Sequence, residues 1–432
     1  MASITRRSDA SFQIRISNGY DENGKRLYYT ETYYPSAKRK TAQEKEAQKY
    51  ADDLEQKLRS GKDYETSQMT FKEFAETCWK PRKLITIEKT TLEGYEGTLE
   101  RIVYPAIGNM RLFQINILPI QHIYDQMVSD HKSPASVRQV HAVISDILKH
   151  AYKMNVIDEN PCHRAVLPKM KDSGDIRFFT DEETQAFLKS LREGYDIHYP
   201  RKYRKNGRII PAHDRHIDVD TQWIVYFNLA IYAGCRRGEL LALTWKDIDF
   251  KTRTITIEKA RARTKAGDIT KKPKNKHSIR TITVPADCIH LLILWRKEQM
   301  QLAWNMGETW KGYYGRDFDK NFIFIQPETG LPMNVSTPTH KFKEILKLYN
   351  DTHELEDQLP DISLHELRHT SATLLLANGT DIETVSHRLG HSKASTTLDV
   401  YGHAMKKMDS KASDTLESIL SGRKRPDHPV KK

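Results

Sequence analysis

His365-Glu366-Leu367-Arg368-His369, followed by Leu389-Gly390-His391 and then Leu398-Asp399-Val400-Tyr401, is the stretch on which the reading of this chain turns. Ser363 with Glu366 has the spacing of a capping box, so a helix is expected over His365–Asn378, with Gly379 as its stop. His365 and Arg368 then share one helical face. Thr380 with Glu383 repeats the signature, and Gly390 ends the helix it opens. His391 therefore falls at a helix terminus, and Tyr401 a short helix further on. The same letters satisfy the zinc-peptidase pattern HExxH. That reading is rejected on two grounds. Arg368 would put a guanidinium beside the metal, and the third-ligand offsets carry Leu375 and Leu389 instead of His or Glu.

Two more constellations lie upstream. Ala233-Gly234-Cys235-Arg236-Arg237-Gly238-Glu239-Leu240 places Arg236 and Glu239 three apart, so the carboxylate can orient the guanidinium. An ordinary surface ion pair, worth under about 1 kcal/mol, is the competing reading. Lys272-Pro273-Lys274-Asn275-Lys276-His277-Ser278-Ile279-Arg280 is expected to contain a β-turn between two strands. By itself it is only a basic loop.

In this order the stretches resemble the tyrosine recombinase (phage integrase) family, whose pattern is Arg, Lys, His-x-x-Arg, His, Tyr. The likeness is strongest to integrases of conjugative transposons and is close over about residues 180–403. It implies Arg236, Lys274, His365, Arg368, His391 and Tyr401 as catalytic residues, with Glu239 bracing Arg236. Tyr401 would be the nucleophile, forming a 3′-phosphotyrosyl link and freeing a 5′-hydroxyl. Lys274 would protonate that leaving oxygen, with Lys276 as the less favoured substitute. The chemistry suits the residue types. Attack on a phosphodiester builds negative charge, which fixed guanidiniums can grip with paired hydrogen bonds. Imidazoles can add hydrogen bonds and move protons. The phenol, with an unperturbed pKa of about 10, needs cations nearby to be activated. Cys235 stands where the family more often has Leu or Met, and no consequence is expected of it.

Composition agrees with a nucleic-acid partner. Among 432 residues there are 69 basic and 57 acidic ones, and the excess is uneven. Lys251 to Arg280 holds eleven Lys or Arg against two acids, a stripe suited to a polyanion. Lys272, Lys276 and Arg280 are accordingly expected to contact DNA. No apolar run reaches the ~18 residues of a spanning helix. Arg6 and Arg7 without an apolar run argue against a secretory signal. Four scattered cysteines fit a reduced, cytoplasmic protein of the bacterial cell, associated with the nucleoid when on DNA. There is neither a GxxxxGK[ST] loop nor a carboxylate cluster suited to Mg²⁺, and a phosphotyrosine conserves bond energy, so no cofactor, metal or ATP is expected.

The expected fold class is multidomain and mainly α with small antiparallel sheets. Residues 1–65 read as a small sheet-plus-helix domain, with Phe12, Ile14 and Ile16 alternating in one strand and an Asn23-Gly24 turn. Thr41 with Glu44 would cap its helix. Residues 66–172 read as all-helical, the longest helix opening at Ser133-Pro134. Residues 173–432 read as an α+β domain. The resemblance makes these three an arm-site DNA-binding domain, a core-binding domain and the tyrosine recombinase catalytic domain. Arg15 and Arg26 are the arm-domain DNA contacts it suggests. Tyr195 to Asp220 is a polar insertion that could touch DNA or a partner subunit, or be a plain surface loop, the last being favoured. Met405 to Leu420 reads as an amphipathic helix that packs on a neighbouring protomer or within its own domain.

The function implied is a site-specific DNA recombinase, the integrase or transposase of a mobile element. It would act on double-stranded attachment-site DNA as a homo-tetramer, through a Holliday junction. An excisionase or a host DNA-bending protein is a candidate accessory partner, and no membrane is involved. A type IB topoisomerase-like nicking-closing enzyme is the alternative with the same chemistry. A DNA-binding regulator without catalysis is the alternative from another class.

Overall fold

A computed structural model describes residues 3–8, 11–20, 26–37, 39–59, 69–170, 177–199, 202–203, 209–210, 212–272, 278–391, 393–395, 397–398 and 420. The chain divides into two compact units, Met1–Ser173 and Gly174–Lys432.

The first unit opens with an antiparallel sheet of β1 (Ser3–Ser8), β2 (Ser11–Tyr20) and β3 (Arg26–Tyr33) in that order. Ile14 and Ile16 on β2 pack on Ala51 and Leu54 of α1 (Lys40–Arg59). The other face is wet. There Arg15 lies 3.9 Å over the Tyr28 ring. The helix start differs from expectation. Ala42 and Gln43 donate to the Arg39 carbonyl, so α1 begins ahead of Thr41, and Glu44 instead lies 3.8 Å from Arg6.

The remainder of this unit is helical. α2 (Phe71–Phe74) continues through a π turn, Ala75–Trp79, into α3 (Lys80–Thr86). α4 (Lys89–Thr98) continues likewise through Leu99–Val103 into α5 (Tyr104–Ile107). α6 (Ile117–Ser129) and α7 (Pro134–Lys153) follow. The 3.6 period of α7 buries Val137, Val140, Val143, Ile144, Ile147, Leu148 and Ala151 on one face. Trp79 is buried against them, and its indole donates to Asp146 at 2.8 Å. Ser133 caps α7, its hydroxyl accepting from the Ser136 amide at 3.2 Å. Ser133→Ala is therefore expected to cost about 1 kcal/mol, read as a lower urea midpoint for this unit. An unchanged midpoint would mean that the cap contributes nothing.

The second unit is built around α9. Its elements run α8 (Asp181–Glu193), β4 (Tyr195–Tyr199), β5 (Lys202–Tyr203), β6 (Ile209–Ile210), β7 (His213–Ile217), α9 (Thr221–Tyr232) and α10 (Arg237–Leu240). Then come β8 (Ile248–Asp249), β9 (Thr254–Ile257), β10 (Ala260–Thr264), β11 (Gly267–Lys271) and β12 (Arg280–Thr283). The helices α11 (Ala286–Met306), α12 (Thr337–Thr352), α13 (Glu366–Ala377) and α14 (Ile382–Leu389) complete it. α9 is apolar nearly all round and is sheathed by α8, α11 and α13. Phe227 meets Phe187 edge to face at 5.8 Å, and Tyr226 meets Phe324 at 4.9 Å. One sheet has the order β12-β9-β8 and is antiparallel; β10 pairs with β11 as a separate hairpin.

The insertion is not a plain loop. β4 pairs antiparallel with β7, and two cross-strand His–Asp pairs, His198–Asp214 at 2.6 Å and His216–Asp196 at 2.8 Å, lie on one exposed face. The β10–β11 hairpin was not anticipated either. Among the described residues no helix is long and apolar enough to cross a membrane.

Candidate active site

Four segments of the second unit converge around the loop that follows α9. At Gly234 φ is +59°, and a Cβ there would come within 3.0 Å of Leu389 and 3.1 Å of the Ser371 hydroxyl. The glycine thus permits both the turn and the close approach of α13 and α14. Two residues on, Arg236 caps α10. Its guanidinium donates to Glu239 at 2.9 Å, and its amide donates to the other oxygen of the same carboxylate at 2.9 Å. The Glu239 side chain is 6% exposed and that of Arg236 is 42% exposed, so the carboxylate is inside and the guanidinium faces out. This is no surface ion pair. Burial alone would raise the Glu239 carboxyl, but the hydrogen bond and charge of Arg280, with the Arg236 amide and guanidinium, hold it below the usual carboxylate value.

α13 supplies the second arginine. Arg368 is buried, and its Nη1 donates to the Gly234 carbonyl at 2.7 Å, which ties it to the loop that carries Arg236. His365 precedes the helix as its cap residue, and Glu366 accepts from the Ser363 amide. Only the Glu366 half of the expected capping box is made; the cap residue is His365, without a side-chain cap, and the helix itself starts at Glu366. His365 and His369 lie 5.1 Å apart with perpendicular rings. Burial lowers the pKa of both, helped for His365 by Arg368 and Arg236, and for His369, held at about 4, by His365 and Arg368.

α14 delivers His391. Asp381, rather than Thr380, caps it, accepting from the Thr384 amide at 2.8 Å. Gly390 turns left-handed at φ +69°, and the Gly390 and His391 amides close on the His387 and Ser386 carbonyls. His391 Nδ1 is 2.8 Å from the Thr397 hydroxyl. Burial, then the charges of Arg368, Arg236 and Arg280, hold its pKa at about 4. The chain just ahead of His391 lies against the same loop, Leu389 at Gly234 and Gly390 at Arg280, so His391 enters this region as a neutral imidazole at pH 7. A group of two guanidiniums and two neutral imidazoles can bind a phosphate and accept a proton beside it.

Two expectations about Lys272–Arg280 part company. Lys272 is exposed at the end of β11. Arg280 is not: its side chain is 0% exposed and pairs with Glu239 at 2.8 Å. It is thus corrected from a DNA contact to an interior residue. The signal was in the strand period, since Arg280 is in phase with buried Ile282 on β12. Lys274, Lys276 and Tyr401, with most of Met405 to Leu420, lie outside the described residues, as does the Arg26 side chain. Cys235 is buried, and burial pushes its thiol up to about 12, so it stays protonated. Among the described residues no group of three His, Cys, Asp or Glu is placed to hold a metal.

The sequence profile of the phage integrase family matches residues 208–408. A XerC-like tyrosine recombinase of Caldanaerobacter subterraneus subsp. tengcongensis is 26% identical over 95% of this chain and 96% of its own length. The chain is a tyrosine recombinase that carries a phage integrase family domain over residues 208–408. Like others of that family, this recombinase is a DNA strand-transfer enzyme that acts in site-specific recombination. The ICEBs1 integrase of Bacillus subtilis is 26% identical to it over 69% of this chain and 77% of that one. In fold the recombinase is similar to the Tn1549 transposon integrase in complex with a circular intermediate DNA, with TM-score 0.61, 19% identity, and coverage of 81% of this chain and 99% of that one. A lambda integrase tetramer bound to a Holliday junction gives TM-score 0.51 at 15% identity, covering 90% and 96%. Relatives named as recombinases and integrases do not favour the topoisomerase-like alternative.

Proposed function

We propose that this recombinase is the integrase of a mobile element and cleaves attachment-site DNA with Tyr401. Arg236 and Arg368 grip the non-bridging oxygens of the scissile phosphate. A neutral imidazole, His365 or His391, accepts the phenol proton as the Tyr401 oxygen bonds to phosphorus and the P–O5′ bond breaks. Lys274 protonates the departing 5′-oxygen. The incoming 5′-hydroxyl of a partner strand reverses the step, so strands exchange one pair at a time through a Holliday junction on a homo-tetramer. The single observation that carries this reading is the bond from Arg368 to the loop that carries Arg236, with Glu239 aiming Arg236; His365 caps the helix of Arg368, and the helix that ends before His391 packs on the same loop at Gly234.

In the same reading residues 173–432 form the catalytic domain, 66–172 grip the core site and 1–65 read arm sites. Arg15 is well placed for that, since it stands on the exposed sheet face above Tyr28. Lys272 and Lys276 track the phosphate backbone. The protein works in the cytoplasm, with an excisionase or a host DNA-bending protein as accessory. The C-terminal segment joins neighbouring protomers.

A nicked suicide substrate, which loses its 5′-hydroxyl after cleavage, tests this. Incubated with the protein in EDTA, it should give a covalent protein–DNA adduct that peptide mapping assigns to Tyr401. An adduct on another residue, or none at all with DNA bound, would overturn the assignment.

A further inference from the structure

We propose that Arg280 is a positioning residue, which from inside the fold holds three separate parts of the active site in register. This rests on the roles just given to Arg236, Lys274 and His391. Every arm of the Arg280 guanidinium is engaged. Nη2 donates to Glu239 at 2.8 Å, and Glu239 in turn aims Arg236. Nη1 donates to the Ser278 carbonyl at 3.0 Å, a few residues past Lys274 in the chain. Nε donates to the Arg388 carbonyl at 2.7 Å, three residues ahead of His391.

The last contact is reciprocated. The Arg388 guanidinium reaches back to the Thr283 carbonyl on β12 at 3.3 Å and to the Tyr232 carbonyl at the end of α9 at 2.8 Å. β12 and α14 are therefore locked by two arginines, Arg280 holding the backbone of α14 at Arg388 and Arg388 holding the backbone of β12 at Thr283. Gly390 completes the fit: a Cβ there would lie 2.7 Å from Arg280 Nη1. The chain at the threshold of His391 can pass only because that residue has no side chain.

Stability alone is a weak reason for such a residue. A buried ion pair loses solvation that its attraction only partly restores, and an apolar pair of the same volume is often as stable. A planar fork that meets three acceptors in fixed directions instead supplies geometry, which a lysine cannot reproduce. Direct contact with DNA is a poor fit, because no part of the side chain reaches solvent.

Arg280→Lys, compared with wild type and Arg280→Met, is the test. The readouts are the DNA dissociation constant and the single-turnover rate of adduct formation on the suicide substrate at saturating DNA. Arg280→Lys is expected to bind within about threefold of wild type and to cleave about 10–100-fold more slowly. That rate constant reads only folded, bound molecules, so partial misfolding lowers the amplitude and not the rate. Should Arg280→Lys fail to fold, the pair Arg280→Met with Glu239→Gln removes both buried charges and is expected to cleave more slowly than Glu239→Gln alone at unchanged affinity; an equal rate in the two would overturn the proposal. The pH profile adds a readout that a scaffold role would not move. Arg280→Met should raise the acid limb of the saturated rate, because Arg280 is one of the charges that keep His391 neutral, while Arg280→Lys should leave it in place. A wild-type saturated rate in the variants overturns the proposal, as does a loss confined to DNA affinity. Failure of wild type to form an adduct, or formation by Tyr401→Phe, would instead sink the underlying reading.

Discussion

Arg368→Lys will bind attachment-site DNA within a few-fold of wild type and form the covalent adduct about 10²–10³-fold more slowly at saturating DNA, the typical cost of removing one preorganised donor to a developing charge. The reason lies in how the side chain is held. Arg368 is buried, on the first turn of α13, and spends Nη1 on the Gly234 carbonyl. That bond fixes the plane of the guanidinium relative to the loop bearing Arg236, so in the proposed mechanism two forks meet one phosphate without reorganising. A lysine keeps the charge but has a single rotating ammonium. It can satisfy Gly234 or the phosphate, and not both in the required directions. Ground-state affinity is spread over many phosphate contacts and changes little. The check is a single-turnover rate beside a binding isotherm. A variant that loses affinity and keeps its saturated rate would mean that Arg368 holds DNA without stabilising the transition state.

Much of this site could be read from residue spacing, and the exceptions have identifiable causes. α13, Gly379 and Gly390 follow from capping and from the left-handed stop, which are local and need no knowledge of the fold. The stripe on α7 follows from its period in the same way. Capping registers slipped by a residue or two where more than one start was chemically sound. Asp381 displaced Thr380 as the acceptor for α14, and the Arg39 carbonyl took the first α1 amides ahead of Thr41. Strands held together by polar groups were harder to see. β10 reads Ala260-Arg261-Ala262-Arg263-Thr264, with no apolar alternation to mark it. β4 and β7 pair His with Asp across the ladder, so their period is written in charge. Arg280 was misread for a related reason. A positive charge in a basic stripe suggests DNA, and only the partner 41 residues away, Glu239, shows that it belongs inside. Long-range pairing of this kind leaves no local mark except phase, and there Arg280 does fall in step with Ile282 and Val284.

His369 and His391 together will remove about 2–4 kcal/mol of stability from the Gly174–Lys432 unit between pH 7 and pH 4, most of it before ordinary carboxylates begin to protonate. His369 and His391 are held at about 4 by burial and by the surrounding arginines. In the unfolded chain both return to about 6.5. Between those values the unfolded state binds more protons than the folded one, so stability falls as pH falls through that window and levels off below it. Above pH 7 both rings are neutral in either state and contribute nothing to the slope. Fully enclosed rings would lose about 3 kcal/mol each, and the figure is reduced here because both rings are partly open to water, which screens the neighbouring charges. Glu239 is also held low, but its loss comes at lower pH, since a carboxylate with a depressed pKa keeps its stabilising charge until the pH passes below that pKa. Urea unfolding of wild type and of His369→Gln with His391→Gln, at pH 7.0, 5.5 and 4.5, separates the two sources. The double variant should show a clearly shallower decline. An equal decline in both proteins would mean that the imidazoles are not what the arginine cluster keeps neutral. The same depression governs catalysis: a proton acceptor that stays neutral to about pH 4 should keep the acid limb of adduct formation well below the 6.5 of a free histidine.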